Sequence, residues 1–398
     1  MRNVRPSLNA VVLSLLIVLL GAAHLTSTVK IVGRWLPIEA LFGQKSGLTT
    51  KPLSKSNIIQ VALLLDTSNS MDGLIEQAKS QLWSILGELT RMKKGGESPE
   101  LEIALYEYGN LSLPLSSGYI RQVTPFTKDM DLISEVLFAL KTNGGDEYCG
   151  QVIHSALEAL DWETADGSLR LIYIAGNEPF TQGPFPYAEA CALAKEKGIT
   201  VNTIYCGDAS EGINSGWKNG ADITGGAFAT INQDSRTVYV ESPYDTDISK
   251  LNDELNKTYL AYGAQGLIHQ EKQIAQDANA GKYSQANAAD RAYFKASKQY
   301  SNEKWDLVDA YKKDKTIVTK KEQLPDSLKQ LSQTEVEARI EYLSAKRDDV
   351  QQQIRKLNEK RLAFIQQRAQ DKQEAQSLEN SILQSLRKQA KARGFEVE

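Results

Sequence analysis

Apolar runs and helical spacings alternate through the middle of the chain. The continuous apolar run at 58–65 is typical of a strand buried on both faces of a sheet, and the runs at 169–175 and 199–205 are similar. Between them, apolar residues recur every three or four positions, as at 74–92 and 152–160, which predicts helices. Strands alternating with helices predict an α/β fold, with a doubly wound, mainly parallel sheet flanked by helices over residues 57–245.

The strand pattern ends near residue 245, and an all-α C-terminal region is predicted beyond it. Residues 246–320 form a helical region, either a small hairpin or an arm that packs back onto the sheet domain. Pro325 then breaks the chain. The parts before and after Pro325 are both expected to be helical, because apolar and polar residues do not alternate in them as they do in strands.

A heptad pattern runs from Val336 to Ser385, and ten of its fifteen core positions are apolar. It contains no proline or glycine, so it predicts a long helix and a coiled coil over 326–390, through which the chain self-associates. Arg347 and Arg361 are charged residues at core positions and weaken that interpretation. The alternatives are a single solvated helix, or a helix folded back on residues 246–320.

The N-terminus has the pattern of an export signal. Arg2 and Arg5 precede an apolar run at 10–23, which is short for a membrane-spanning helix of roughly 20 residues. Residues 1–25 are therefore predicted to be a signal peptide or, if uncleaved, an N-terminal membrane anchor, and residues 26–56 a linker. The protein is expected in the periplasm or the cell envelope, with membrane contact only through this segment.

Charge is distributed unevenly along the 398 residues, whose net charge is −4. Residues 57–245 carry twelve basic and twenty-six acidic side chains, a net charge of −14. Such a domain repels nucleic acid and suits cations or basic protein surfaces. Only three cysteines and three histidines are present, at spacings that do not match the usual zinc sites or a histidine-dependent hydrolase.

The first predicted strand ends in a group of oxygen-bearing side chains. Asp66 closes the strand, and Ser68 and Ser70 follow at alternate positions of the next loop. Ligands of open α/β sheets bind at the carboxyl ends of the strands, and these hard oxygen donors suit Mg²⁺ or Ca²⁺. The alternative is that the serines only cap the following helix.

Asp66, Ser68 and Ser70, together with the strand at 59–65 and the order of strands and helices, resemble the von Willebrand factor type A (VWA) domain family. The resemblance covers residues 57–245, about half of the chain. It implies a divalent cation in a metal-ion-dependent adhesion site, whose open position takes an acidic group from a protein partner. It therefore implies a non-enzymatic module for adhesion or assembly.

Two loops depart from the family pattern. After Gly144 and Gly145, Asp146 takes the place of the family's threonine, so it is predicted to be either a compensating metal ligand or a turn residue. Gly176 stands where the third loop normally has an aspartate, and the site is to that extent degenerate. Asn177 and Glu178 are neighbouring candidates, with no spacing that requires either to bind the cation.

Two further features, the cysteine pair and Trp217, each have two interpretations. Cys149 and Cys206 are either a disulfide or two buried thiols, and Trp217 is either a core residue or a binding aromatic. A phosphatase with an aspartyl nucleophile needs an acid where this chain has Ser68, so no enzyme activity is predicted. The alternative function is a structural scaffold, in which the metal site is degenerate and the helical tail binds the partner.

Overall fold

The computed structural model describes residues 57–232, 239–369 and 378–397, together with two short strands near the N-terminus. These are β1 (Thr28–Ile31) and β2 (Arg34–Pro37), which pair antiparallel inside the predicted linker. The predicted signal segment, 1–25, lies outside the described residues. Among the helices that are described, none combines the length and the apolar composition needed to cross a membrane.

A six-stranded sheet forms the centre of the molecule. The remaining strands are, in chain order, β3 (Ile58–Asp66), β4 (Met92–Lys93), β5 (Glu100–Tyr108), β6 (Ile120–Thr127), β7 (Leu169–Gly176), β8 (Thr200–Cys206), β9 (Phe228–Ile231) and β10 (Glu396–Val397). The sheet order is β6-β5-β3-β7-β8-β9, with only the edge strand β6 antiparallel. Because β3 lies between β5 and β7, its apolar run is buried on both faces, as its sequence predicts.

Helices cover both faces of the sheet. They are α1 (Asp72–Thr90), α2 (Met130–Ala139), α3 (Cys149–Ala159), α4 (Tyr187–Glu196), α5 (Ala209–Asn214), α6 (Trp217–Thr224), α7 (Asp245–Asn256), α8 (Gly266–Tyr283), α9 (Gln285–Lys295), α10 (Leu307–Lys313), α11 (Gln333–Ala369) and α12 (Leu378–Ala392). Helices α1, α2 and α12 share a core with one face of the sheet, and α3, α4 and α6 share a core with the other. The predicted doubly wound α/β class is confirmed.

The helical region packs back onto the sheet domain. Ser134 on α2 donates a hydrogen bond to Gln276 on α8 (Oγ to Oε1, 2.7 Å). The Tyr300 hydroxyl, beyond α9, donates to Asp131 on α2 (Oη to Oδ2, 2.6 Å). Residues 246–320 were expected to form either a small hairpin or an arm packed on the sheet domain, and the structure has the arm.

The heptad face of α11 is covered by the chain's own helices. Apolar core positions such as Val336 and Ile354 are buried. Arg347, which is 2% exposed, is paired with Asp306 near α10 (Nη1 to Oδ2, 2.6 Å). The predicted coiled coil with another chain is thus corrected to the fold-back alternative, because the surface that it requires is already occupied as far as Arg361. The long helix itself is confirmed, with 37 residues in α11.

Helix α12 completes the core on one face of the sheet. Ile382 and Leu386 are buried in the same core as Tyr173 of β7, and the Tyr173 hydroxyl lies 2.9 Å from Ser385 Oγ. The following strand, β10, pairs antiparallel with β4. The described residues from 57 onward belong to one compact unit.

Candidate metal centre

Three of the predicted site residues meet at the end of β3. Asp66 is fully buried, and its Oδ1 accepts a hydrogen bond from the backbone N–H of Ser68 at 2.7 Å. This bond turns the chain out of the strand, and a short 3₁₀ turn at Asn69–Met71 leads into α1. The Ser68 and Ser70 hydroxyl oxygens lie 3.2 Å apart. The loop therefore presents one carboxylate and two hydroxyls, as the sequence predicts.

Glu147 is the site residue that sequence reasoning missed. Its side chain is 4% exposed, and its carboxyl group lies against that of Asp66. Gly109 makes this approach possible, since a Cβ there would lie 2.7 Å from Glu147 Cγ and 2.8 Å from Asp66 Oδ1. The backbone N–H of Glu147 donates to Gln182 Oε1 at 2.5 Å, which fixes the second loop in place. A second carboxylate thus lies at the centre.

Asp146 precedes Glu147 on the second loop and lies at the protein surface. Its side chain is exposed, and its Oδ2 accepts a hydrogen bond from the Tyr148 hydroxyl at 3.1 Å. The described contacts thus place the Glu147 carboxyl group beside Asp66, whereas the described partner of Asp146 is Tyr148, and metal binding by Asp146 stays a prediction. Thr142, at the start of the same loop, is hydrogen-bonded to Asp72.

The third loop contributes an amide and no carboxylate. Asn177 Nδ2 donates to Ser70 Oγ at 3.1 Å, so Asn177 contacts the first loop. Glu178 is exposed. A Cβ at Gly176 would lie 3.1 Å from Asp66 Oδ2 but only 2.5 Å from the Tyr108 hydroxyl. The space of the family's aspartate is therefore filled by Tyr108.

The two carboxyl groups oppose each other electrostatically. Burial raises the pKa of Asp66 to about 6. Burial, reinforced by the neighbouring charge of Asp66, raises the pKa of Glu147 to about 9. Two buried carboxylates in contact cannot both ionise without a compensating charge. Without a cation, the pair therefore holds a proton near neutral pH.

The donors present fit a hard divalent cation. Asp66 Oδ2 is buried and accepts no hydrogen bond, so one carboxylate oxygen at the centre is left without a partner. Asp66, Ser68, Ser70 and Glu147 provide only oxygen, which suits Mg²⁺ or Ca²⁺. Within the described ranges, no group of three or more His, Cys, Asp or Glu side chains is arranged to hold a metal ion.

The cysteines do not form the predicted alternative disulfide. Cys149 and Cys206 are free thiols, and both are buried. Cys206 belongs to the core on the α1 face of the sheet and Cys149 to the core on the α3 face, so the sheet separates them. Trp217 is fully buried and donates its indole N–H to the Glu178 carbonyl at 2.8 Å, which makes it a core residue.

The chain is similar to several solved structures. No protein-family model matches the chain, and no curated protein does. Solved structures that match include the SpRpn10 VWA domain, at 16% identity and a TM-score of 0.34 over 44% of this chain and 88% of that one. This similarity covers less than half of the present chain.

Two further matches have similarly low identity. The conserved hypothetical protein BatB from Bacteroides thetaiotaomicron is 17% identical, with a TM-score of 0.33 over 44% of this chain and 90% of that one. Proximal thread matrix protein 1 from the mussel byssus, solved with a zinc-occupied MIDAS motif, is 12% identical, with a TM-score of 0.33 over 44% of this chain and 42% of that one. These likenesses to VWA structures concern the fold and carry nothing about function.

Proposed function

We propose that this chain is a non-enzymatic protein-binding module that acts through a divalent cation, Mg²⁺ or Ca²⁺. The observation that carries the proposal is the unpaired, buried Oδ2 of Asp66 with the Glu147 carboxyl beside it. A buried charge needs a partner, and without a cation the two carboxyl groups cannot both ionise, so the pair keeps a proton that a bound cation would replace. When bound, the cation offsets this charge and offers a coordination position to an oxygen of a partner.

The neighbouring residues hold the ligands in position. Ser68 is tied to Asp66 through its backbone N–H, and Asn177 orients the Ser70 hydroxyl. The first two loops are joined by the bond from Asn143 N–H to the Thr67 carbonyl at 2.9 Å. Such support keeps the donors close together before an ion arrives, which lowers the free-energy cost of binding it.

A scaffold whose helical tail binds the partner has less support. The tail's regular apolar face is the face of α11 that packs on the chain's own helices, as the burial of Ile340 and Leu343 illustrates. Binding there would require α11 to leave this position. Location in the cell envelope remains part of the proposal, based on the apolar segment near the N-terminus.

Calorimetric titration of Mg²⁺ and Ca²⁺ into the full chain tests the cation site. We expect Asp66→Asn and Glu147→Gln each to lower cation affinity at least about tenfold, the order of loss for altered metal-site groups. Asp146→Asn is the matched control, because it removes an exposed carboxylate from the adjacent residue. It should change affinity less than about twofold, since screening weakens exposed charges.

Two results would contradict this assignment. One is an unaltered protein that binds neither cation at millimolar concentration. The other is an Asp146→Asn variant that loses as much affinity as Glu147→Gln, because the ligand would then be the exposed carboxylate after all. Thermal unfolding gives a second measure: millimolar metal on a micromolar site should stabilise the folded chain by roughly 4 kcal/mol.

A further inference from the structure

The loops around the candidate centre form a strongly acidic surface. We define the site edge as the loops at 66–72, 109–119, 141–149, 176–186 and 206–217, which follow strands of the sheet or immediately precede its helices. They contain a single basic residue, Lys141. Their seven acidic residues are Asp66, Asp72, Asp146, Glu147, Glu178, Asp208 and Glu211.

One divalent cation leaves most of this charge uncompensated. Bound at the centre, it offsets the two carboxylates of Asp66 and Glu147. The other five acids are exposed, and these loops contain only one lysine to offset them, so the site edge retains a net negative charge. A partner segment rich in acidic residues would be repelled by this surface, whereas a basic segment would be attracted.

An open pocket of about 580 Å³ lies beside Asp146 on this edge. It is lined by Leu115, Gly118, Asp146, Tyr148, Gln151 and Gln182, among others. Its charged group is the Asp146 carboxylate. Leu115 is 66% exposed at its rim. The pocket thus combines hydrogen-bond acceptors, a tyrosine ring and an apolar wall.

These groups match the chemistry of a long basic side chain. A carboxylate accepts charge-assisted hydrogen bonds from a guanidinium or ammonium group, and a tyrosine ring attracts a cation over its face. An apolar wall covers the aliphatic stem of lysine or arginine. Leu111 and Ile213, 57% and 49% exposed, add apolar surface elsewhere on the site edge that a docked segment would remove from water.

We propose that the Asp146 pocket receives a lysine or arginine side chain of the partner protein. This rests on the proposed function, since the same segment supplies an oxygen to the cation held by Asp66 and Glu147. The role predicted for Asp146 thereby changes from metal ligand to specificity-determining residue. The partner is a basic segment with apolar residues beside the basic side chain, and not the simple acidic ligand that the family resemblance implies.

Immobilised pools of nine-residue peptides test this pocket. The pools are random except for a central Arg, Lys, Glu or Ala, and the full chain is applied in millimolar Mg²⁺ or in EDTA. We expect the Arg and Lys pools to retain at least about fivefold more protein than the Ala pool, a difference measurable as affinity. The Asp146→Asn variant should lose most of this preference, to about twofold or less.

Glu158→Gln is the matched control for charge. Glu158 is an exposed acid near the other end of α3, paired with Lys197 at 2.9 Å. This variant should keep the preference of the unaltered chain. Retention of the Glu pool above the Arg and Lys pools would overturn the proposal. So would a basic preference that Asp146→Asn leaves unchanged, or binding of every pool at the level of alanine.

The Mg²⁺ and EDTA arms separate this proposal from the proposed function. A basic preference that depends on Asp146 and is equal in Mg²⁺ and EDTA supports the pocket, and it refutes a role of the cation in binding. Calorimetry that shows Mg²⁺ at the centre, without any basic preference, overturns the pocket while the cation site stands.

Discussion

The Tyr108 hydroxyl occupies the space beside Gly176 that an aspartate of the third loop would need. It is fully buried and donates a hydrogen bond to the Ala175 carbonyl at 2.9 Å. A Cβ at Gly176 would lie 2.5 Å from this oxygen, closer than side-chain atoms approach one another. The second carboxylate of the centre comes instead from Glu147 on the second loop. The carboxyl group beside Asp66 is thus contributed by the second loop and not by the third.

Gly176→Asp should destabilise the fold and should not strengthen cation binding. The new side chain collides with Tyr108 and places a third carboxylate beside Asp66. We expect a loss of about 1–3 kcal/mol in the free energy of unfolding, as for overpacked cores. Urea denaturation measures it, with Gly176→Ala to separate the steric part. Gly176→Asp with unchanged stability and tighter Mg²⁺ binding would contradict the role given to Tyr108.

Arg347→Leu separates the fold-back of α11 from a coiled coil. If α11 formed a coiled coil with another chain, leucine at this heptad core position would strengthen it, and sedimentation would show a more stable dimer. Here the substitution leaves buried Asp306 without its guanidinium partner, so we expect a loss of about 3–5 kcal/mol. Arg339→Leu, at an exposed position of the same helix, is the control. An Arg347→Leu variant that is more stable than the unaltered chain would instead support the coiled coil.

Asp277 makes the stability of the helical region depend on acid pH. Burial acts to raise the pKa of Asp277, but Lys295 and Arg291 outweigh burial and hold this pKa below its usual range. A carboxyl group with a depressed folded pKa stabilises above the unfolded pKa of about 4, and this contribution falls as the pH drops further. We expect Asp277→Asn to cost about 3–5 kcal/mol at pH 7.

The difference between Asp277→Asn and the unaltered chain should shrink by roughly 1.4 kcal/mol for each pH unit below 4. Denaturant unfolding at pH 7, 4 and 3 measures it. Asp247→Asn is the control, because Asp247 is exposed and forms only a surface pair with Lys250. A cost that stays constant with pH would show that the ionised carboxylate of Asp277 does not stabilise the fold.

Leu386→Ala tests whether α12 belongs to the core of the sheet domain. Leu386 is 1% exposed and shares its core with Tyr173 and Ile204. Removing its side chain should cost about 2–5 kcal/mol. Lys388→Ala, on the exposed side of α12, should change the free energy of unfolding by less than about 0.5 kcal/mol. Equal, small effects of both substitutions in urea denaturation would show that α12 does not complete this core.

The sheet was predictable because its strands are buried on both faces. The runs at 58–65 and 169–175 have no polar face, and only a parallel sheet between two helical layers buries such runs. The first loop was predictable for a related reason, since Asp66 ends the central strand. The buried strands and the position of the first loop thus both follow from the local sequence and the geometry of a parallel sheet.

The second loop and the tail depend on contacts distant in sequence. Asp146 and Glu147 are adjacent acids, and no local pattern indicates which one faces Asp66. The choice depends on Gly109 and Gln182, about 40 residues away on either side. Similarly, Arg347 weakened the heptad interpretation, but its partner Asp306 is identified only by the fold. A charged residue at a core position was the one signal in the sequence for the fold-back.

The most direct test of the central claim is an anomalous difference map from a crystal of the full chain soaked in Mn²⁺. We predict a peak between the carboxylates of Asp66 and Glu147 and the hydroxyls of Ser68 and Ser70. The same soak of a Glu147→Gln crystal should show that peak weakened or lost. An unaltered protein with no peak at this position, or with its peak at Asp146, would contradict the account.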